Sequence, residues 1–191
     1  KSFFPAVAYG RDHHVAVASA RAGNAIGGGD FGHDRLIPDC IRAFAAGRAV
    51  SIRYPDSVRP WQHALECLSG YLTLGARLLE SGPAFGGGWN FAPLPSGQPW
   101  GVRRVVETVA ALWGHGAVEQ EPGQHPHEAK LLRLDCSKAI QELGWQPRWD
   151  VMTALEATVR WYQAWHSGLD AEGLRELTLQ QIGEFESAYN E

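Results

Sequence analysis

From Val15 to Phe44 the chain reads VAVASARAGNAIGGGDFGHDRLIPDCIRAF, passing from an unbroken run of small apolar residues through three glycines into an amphipathic stretch. Val15, Ala16, Val17 and Ala18 carry no polar alternation, the pattern of a strand covered on both faces in a parallel sheet. A parallel strand cannot meet its neighbour through a tight hairpin and needs a crossover, usually a helix. This one segment therefore demands an α/β fold.

The rest of the chain supplies the crossovers. Asp34 stands where it can cap a helix over residues 35–46, with Leu36, Ile37, Cys40, Ile41 and Phe44 on one face. Residues 50–53 read as a short strand, Pro55 and Asp56 as a turn, and residues 59–63 as an extended connector, since Pro60 biases Arg59 away from helix. A helix is expected over residues 65–79, with Leu68, Tyr71, Leu72, Leu78 and Leu79 as its apolar face. A short strand at residues 89–91, a helix over 102–113, an edge strand at Val118 and a strand over 131–134 follow. Ser137 is read as the cap of a helix ending at Gly144, and Asp150 as the cap of another over residues 151–165. A terminal helix is expected over residues 174–189. There is no internal repeat.

Gly27, Gly28 and Gly29 sit where a phosphate loop would, yet they do not form one. The G-x-G-x-x-G spacing of a dinucleotide fingerprint is not kept, and no Lys-Ser/Thr pair follows for a Walker loop. Gly86 to Gly88 precedes a strand instead of following one. Taken alone, both clusters read as turns that need positive φ angles.

Charge and composition narrow the partners. With 17 Lys+Arg against 21 Asp+Glu the net charge is −4, no basic excess with which to neutralise a nucleic-acid backbone. No apolar run approaches the ~18 residues of a membrane span, so neither nucleic acid nor membrane is expected as a partner. Cys40, Cys67 and Cys136 are few, odd in number and far apart, which fits a reducing, cytoplasmic setting. His125-Pro126-His127 sets two imidazoles on one face of an extended segment, but His115, Glu119 and Glu121 complete no recognisable pattern, and no metal is expected. The chain opens with Lys1 and an aromatic pair, Phe3 and Phe4, and it is read as the later part of a longer protein.

Six motifs in order carry a resemblance. They are Arg21-Ala22-Gly23-Asn24-x-Ile26-Gly27-Gly28-Gly29-Asp30 with Arg35-Leu36-Ile37-Pro38-Asp39; Arg59-Pro60-Trp61-Gln62-His63 with Glu66; Trp89-Asn90-Phe91-x-Pro93; His125-Pro126-His127-Glu128-Ala129; Leu134-Asp135-Cys136-Ser137-Lys138; and Leu143-Gly144-Trp145-x-Pro147-Arg148-Trp149. Together they resemble the CDP-glucose 4,6-dehydratase family of the extended short-chain dehydrogenase/reductases, over about residues 2–165. The loop from Gly97 to Gly101 looks shortened against that family. What resembles it is the C-terminal half, with the end of a Rossmann sheet and a small mixed α/β substrate-binding domain. Residues 1–30 would then close the NAD-binding sheet, 31–168 form the nucleotide-sugar domain, and 169–191 a C-terminal helix.

The resemblance implies NAD as cofactor, CDP-glucose as substrate and a homo-oligomer in the whole protein. The glycine fingerprint and the Tyr-x-x-x-Lys pair of the family are not in this sequence, so no catalytic residue is expected within it, and taken alone it is expected to fold poorly and show no turnover. The alternatives are an epimerase or a dehydratase for another nucleotide in the same superfamily, or a non-catalytic module that binds a sugar nucleotide.

The resemblance also implies site residues, each with a plainer reading beside it. Asn24, just past a strand end, would touch the sugar or diphosphate; otherwise it is a turn residue. Arg35 and Leu36 open a helix whose free N–H groups suit a diphosphate; otherwise Arg35 is a solvated first-turn cation. Arg59, on an extended connector, would fork onto the diphosphate. Asn90 would lie near the base, and His127 and Glu128 in a loop over the nucleotide. Ala22 and Gly23 are small enough for a nicotinamide ring to approach the backbone. His63 and Glu66 are read as structural, and Trp145, Trp149, Trp161, Tyr162 and Trp165 as packing.

Overall fold

A computed structural model describes residues 15–95, 97–123 and 129–188. Three pairs of parallel strands are the framework. β1 (Ala18–Ala22) pairs with β5 (Gly87–Phe91), β2 (Asn24–Ile26) with β4 (Trp61–His63), and β3 (Ala49–Ile52) with β6 (Ala117–Gln120). Every pair is parallel, so every pair needs a crossover. These contain α1 (Leu36–Ala45), α2 (Ala64–Ser81) and α3 (Val102–Trp113). α4 (Val151–His166) and α5 (Ala171–Ser187) follow. At Gly23 the chain changes neighbours: its N–H bonds the Phe91 carbonyl at 3.1 Å, and the next N–H, of Asn24, bonds the Pro60 carbonyl at 2.8 Å. That switch sends Asn24 to the mouth of a different strand pair.

The α/β reading holds, with differences in detail. The strand expected at Val15 begins instead at Ala18, and Val15 is half exposed. Among the described residues β1 is paired on one side only, opposite Gly87 and Gly88, so little side chain covers its start. Asp34 does not cap α1. It lies in the left-handed region at φ 58°, and Arg35 occupies the N-cap position without a side-chain bond. No strand forms over residues 131–134; a single bridge joins Leu131 to Val58. Ser137 caps nothing, because its N–H and hydroxyl both turn to Asp135 Oδ1, and the helical turn that follows, Ala139–Leu143, is a π-turn closed by Gly144. Asp150 does cap α4, accepting from the Thr153 N–H at 2.8 Å. α5 starts earlier than expected, because Asp170 caps it through the Gly173 N–H; its expected end at residue 189 lies outside the described residues.

The largest correction concerns α2. Leu68, Leu72 and Leu79 are exposed, and the buried face is Glu66, Cys67, Gly70 and Leu74. The helix carries two apolar stripes, and Gly70 decides between them. A Cβ there would stand 2.2 Å from the Phe91 ring, so only a glycine lets that ring close against the helix backbone.

Three cores result. One, with Phe44, Val105, Val106, Leu155 and Tyr162, lies among α1, α3 and α4. A second gathers Leu74, Trp89, Phe91 and Trp145 between α2 and β5. A third, smaller one packs Trp149, Ala157 of α4 and Phe185 of α5. The fully buried Glu66 ties α2 to the segment before α4: its Oε1 accepts from the N–H groups of Arg148 at 2.8 Å and Trp149 at 2.6 Å. Removing that oxygen leaves two buried donors unpaired. Glu66→Ala should cost about 2–4 kcal/mol in chemical denaturation, and Glu66→Gln, which keeps an acceptor oxygen, less than half of that. An alanine variant as stable as wild type would show that the carboxylate holds nothing.

Candidate functional site

Three hollows meet around Trp61 at the start of β4, and its ring lines all of them. The indole is nearly buried and donates Nε1–H to the Trp100 carbonyl at 3.2 Å. The first hollow is bounded by Asn24, Gly27, Asp30, Arg35 and Pro38. The second lies across Trp61 and is bounded by Asn24, Asp34, Leu36, Tyr54 and Arg59. The third is an apolar slot between Pro93, Leu94, Pro99, Trp100 and Leu134, with Arg59 and Arg133 at its rim. Trp100 carries the Arg104 guanidinium 3.8 Å above its ring. A cationic zone thus adjoins an apolar slot, which suits a ligand with an anionic centre and a flat ring.

Local physics places each group. Asn24 is delivered by the strand switch. α1 begins at Leu36, and Pro38 in its first turn has no N–H, so the amides of Leu36 and Ile37 lead the positive end of the helix. Arg35 does not stand free. Its guanidinium pairs with Asp30 at 2.9 Å. Burial pushes the Asp30 carboxyl up, but the Gly32 amide and the Arg35 and Arg42 guanidiniums outweigh it and hold the group below the usual carboxylate range. Arg59 donates to the carbonyls of Val58 at 2.9 Å and Ala129 at 2.8 Å, so it also ties down the chain just after residue 128.

The sequence candidates therefore divide. Asn24, Arg35, Leu36, Arg59 and Gly23 line one or two of these hollows, with Ala22 ending β1 beside them. Asn90 lines none of the three. Its Nδ2 donates to the Asp135 carbonyl at 2.8 Å, and its Oδ1 is buried without a partner among the described residues. His127 and Glu128 lie outside the described residues. The space beside Gly23 belongs to the Pro60 carbonyl, 2.1 Å from where its Cβ would stand. Sequence reasoning missed the slot itself. Its walls come from residues 93–95, 97–100 and 132–134, distant in sequence, and only the proline run hinted that backbone there is rigid.

Behind the first hollow stands His63. Its Nδ1 accepts from the Leu65 N–H at 3.3 Å, capping α2, so the neutral ring carries its proton on Nε2. That Nε2 is buried without a hydrogen-bond partner among the described residues, and burial brings the imidazole down to about 4.

No family model matches the chain. The chain is 48% identical over 170 residues to CDP-glucose 4,6-dehydratase from Salmonella typhimurium, covering 88% of this chain and 47% of that protein. It is 29% identical over 164 residues to dTDP-glucose 4,6-dehydratase from an Actinoplanes species, covering 83% of this chain and 48% of that one. Among solved structures, dTDP-glucose 4,6-dehydratase from Streptomyces venezuelae, with NAD and TYD bound, superposes with a TM-score of 0.66 at 25% identity, covering 83% of this chain and 47% of that one. UDP-glucuronic acid 4-epimerase from Bacillus cereus, in complex with UDP-glucuronic acid and NAD, gives 0.69 at 17% identity, covering 84% and 49%. The chain is thus similar to sugar-nucleotide dehydratases and epimerases, CDP-glucose 4,6-dehydratase among them, and it spans about half the length of the relatives it matches.

His63 gives the fold a pH dependence. An unfolded histidine takes up its proton near pH 6.5, the folded one only near 4, so between them the unfolded state binds more protons. Its contribution is whole above pH 6.5 and is lost as the pH falls toward 4, at most about 3 kcal/mol. Glu66, raised by burial, acts oppositely, losing stability as pH rises through its own window. Denaturation midpoints of wild type and His63→Asn, which keeps a capping oxygen, should converge as the pH falls from 6.5 to 4. Parallel curves would mean that the buried imidazole titrates normally.

Proposed function

We propose that the protein carrying this chain is a CDP-glucose 4,6-dehydratase using NAD, and that this chain supplies the nucleotide-sugar end of the site. The observation that carries the reading is the 48% identity, together with the arginine-rimmed slot beside Trp61. The diphosphate lies between Arg59, Asn24 and the first turn of α1, and the pyrimidine enters the slot walled by Pro93, Pro99 and Trp100. Arg35 reaches the diphosphate by exchanging its Asp30 partner for a phosphate oxygen. Residues 31–168 serve as the nucleotide-sugar domain, and three unpaired cysteines fit a cytoplasmic setting. The whole protein acts as a homo-oligomer.

Ala22 ends β1 and Gly23 follows it, where open parallel sheets meet their ligands; Ala22 is small, and the Cβ side of Gly23 is taken by the Pro60 carbonyl, which leaves its other side to a flat ring. They fit the nicotinamide end of NAD. When bound, NAD supplies a temporary hydride acceptor for C4 of the sugar. The net reaction would be the loss of one water from the sugar, giving a 4-keto-6-deoxy sugar nucleotide. The residues of this chain orient the sugar by fixing the diphosphate and the base. That holds the substrate against the groups that move protons.

Arg59 is the sharpest point of the reading. Arg59→Ala should weaken CDP binding by about 2–4 kcal/mol in titration calorimetry, through lost charge-assisted bonds, and leave cytidine nearly unchanged. Arg59→Lys should recover part of the loss, because an ammonium cannot fork. Equal weakening of CDP and cytidine would show that Arg59 serves only to hold the Ala129 segment.

A further inference from the structure

The loop from Gly27 to Asp34 joins two groups of the first hollow, the end of β2 and the start of α1. It has no regular structure of its own, and Asp34 closes it at φ 58°, a conformation that costs a non-glycine residue energy. Such a segment keeps one shape only where its surroundings over-determine it. Here the surroundings are one face of α4. The Tyr162 hydroxyl donates to the Asp30 carbonyl. The Trp161 ring lies so close beneath Gly28 that a Cβ there would stand 2.1 Å from Cγ. Phe31, half exposed at the loop tip, sits edge-on to Tyr162 at 6.0 Å and against Trp165 at 4.9 Å. Arg42 of α1 closes the other side, donating to the carbonyls of Phe31 at 3.3 Å and Gly32 at 3.1 Å. The seat is itself braced, since Trp161 Nε1–H donates to Thr178 Oγ1 of α5 at 3.1 Å.

Resting on the nucleotide-sugar reading, we infer that Tyr162 and Trp161 are positioning residues for the diphosphate: α4 holds the Gly27–Asp34 loop so that Asn24 and Arg35 face one another across the first hollow. Asp30 is the hinge of the arrangement. Its carbonyl is held from below by Tyr162, while its carboxylate holds Arg35 and the Gly32 amide. If the Asp30 backbone drifts, the Arg35 guanidinium drifts with it. Burial, with the Asp30 charge added, pushes the Tyr162 phenol up to about 12, so the hydroxyl remains a donor throughout the neutral range. The triple glycine thereby acquires a cause: Gly28 is small because an indole lies under it. Through Thr178, α5 joins the same support although it touches none of the three hollows.

The test is Tyr162→Phe in the protein that carries this chain. It keeps the ring contacts and removes only the bond to Asp30. Amide hydrogen exchange across residues 27–35 should accelerate about tenfold without ligand, and CDP should bind about five- to tenfold more weakly, as one lost hydrogen bond implies. Cytidine binding should hold nearly constant, which a merely structural role would not produce. Thr178→Val, at the outer end of the brace, should shift loop exchange and CDP affinity in the same direction by less, and it decides the matter if Tyr162→Phe does not fold. Unchanged loop exchange, or equal weakening of CDP and cytidine, overturns the inference. Failure of the wild-type protein to bind CDP instead overturns the nucleotide reading, and the loop exchange still shows whether α4 holds the loop.

Discussion

A buried carboxylate at the head of α2 is the contact on which the remaining geometry depends. Glu66 loses its hydration entirely, a cost that would ordinarily exclude a charge from that place. Two backbone N–H groups offset part of it by converging on one oxygen, and burial still holds the carboxyl above its ordinary range. Their convergence pins Arg148 and Trp149 directly before Asp150, whose own carboxylate starts α4. The position of α4 then sets the loop above it, through Tyr162 and Trp161, and the loop sets Arg35. His63 caps α2 and ends β4, the strand that opens with Trp61. The strand that orders the three hollows and the helix that seats the loop are thus both referred to the first turn of α2.

The site owes its character to a change of partner within one strand run. β1 and β2 are separated by a single residue, yet they belong to different pairs. Asn24 is turned away from β5 and delivered beside Trp61. The hollows lie where the carboxyl ends of parallel strands leave backbone and helix termini facing solvent, the usual place for a ligand in an open α/β sheet. Arginines, amides and an apolar slot are present there, groups that can hold an anionic ligand with a flat ring, and His63 is buried and committed to a cap.

Much of this was legible in the sequence, for reasons that can be stated. α4 was readable because an aspartate cap precedes an uninterrupted helical period. The association of Asn24, Arg35 and Arg59 was readable only through ordered motifs, since no local rule brings residues 24 and 59 together. The face of α2 was not readable. Leu68 and Leu72 make as good a stripe as Cys67 and Leu74, and the decision lies in the fit of Phe91 to Gly70, a contact across 21 positions. The glycine loop was read as a turn, as Gly29 at φ 80° makes it, but what packs beneath it was not legible. Three glycines announced a turn, but the indole that makes Gly28 necessary is 133 positions away and read as core. Trp145, Trp149 and Tyr162 are buried as packing requires, whereas Trp161 and Trp165 stand at the loop.

The central claim is that the nucleotide end of a sugar nucleotide is held around Trp61. Amide hydrogen exchange in the protein that carries this chain, compared with and without CDP, tests it directly. Protection on adding CDP should fall on residues 24–27, on the first turn of α1 at Leu36 and Ile37, and on the slot at residues 58–61 and 133–134. Protection confined to other segments, with those amides exchanging as before, would contradict the account.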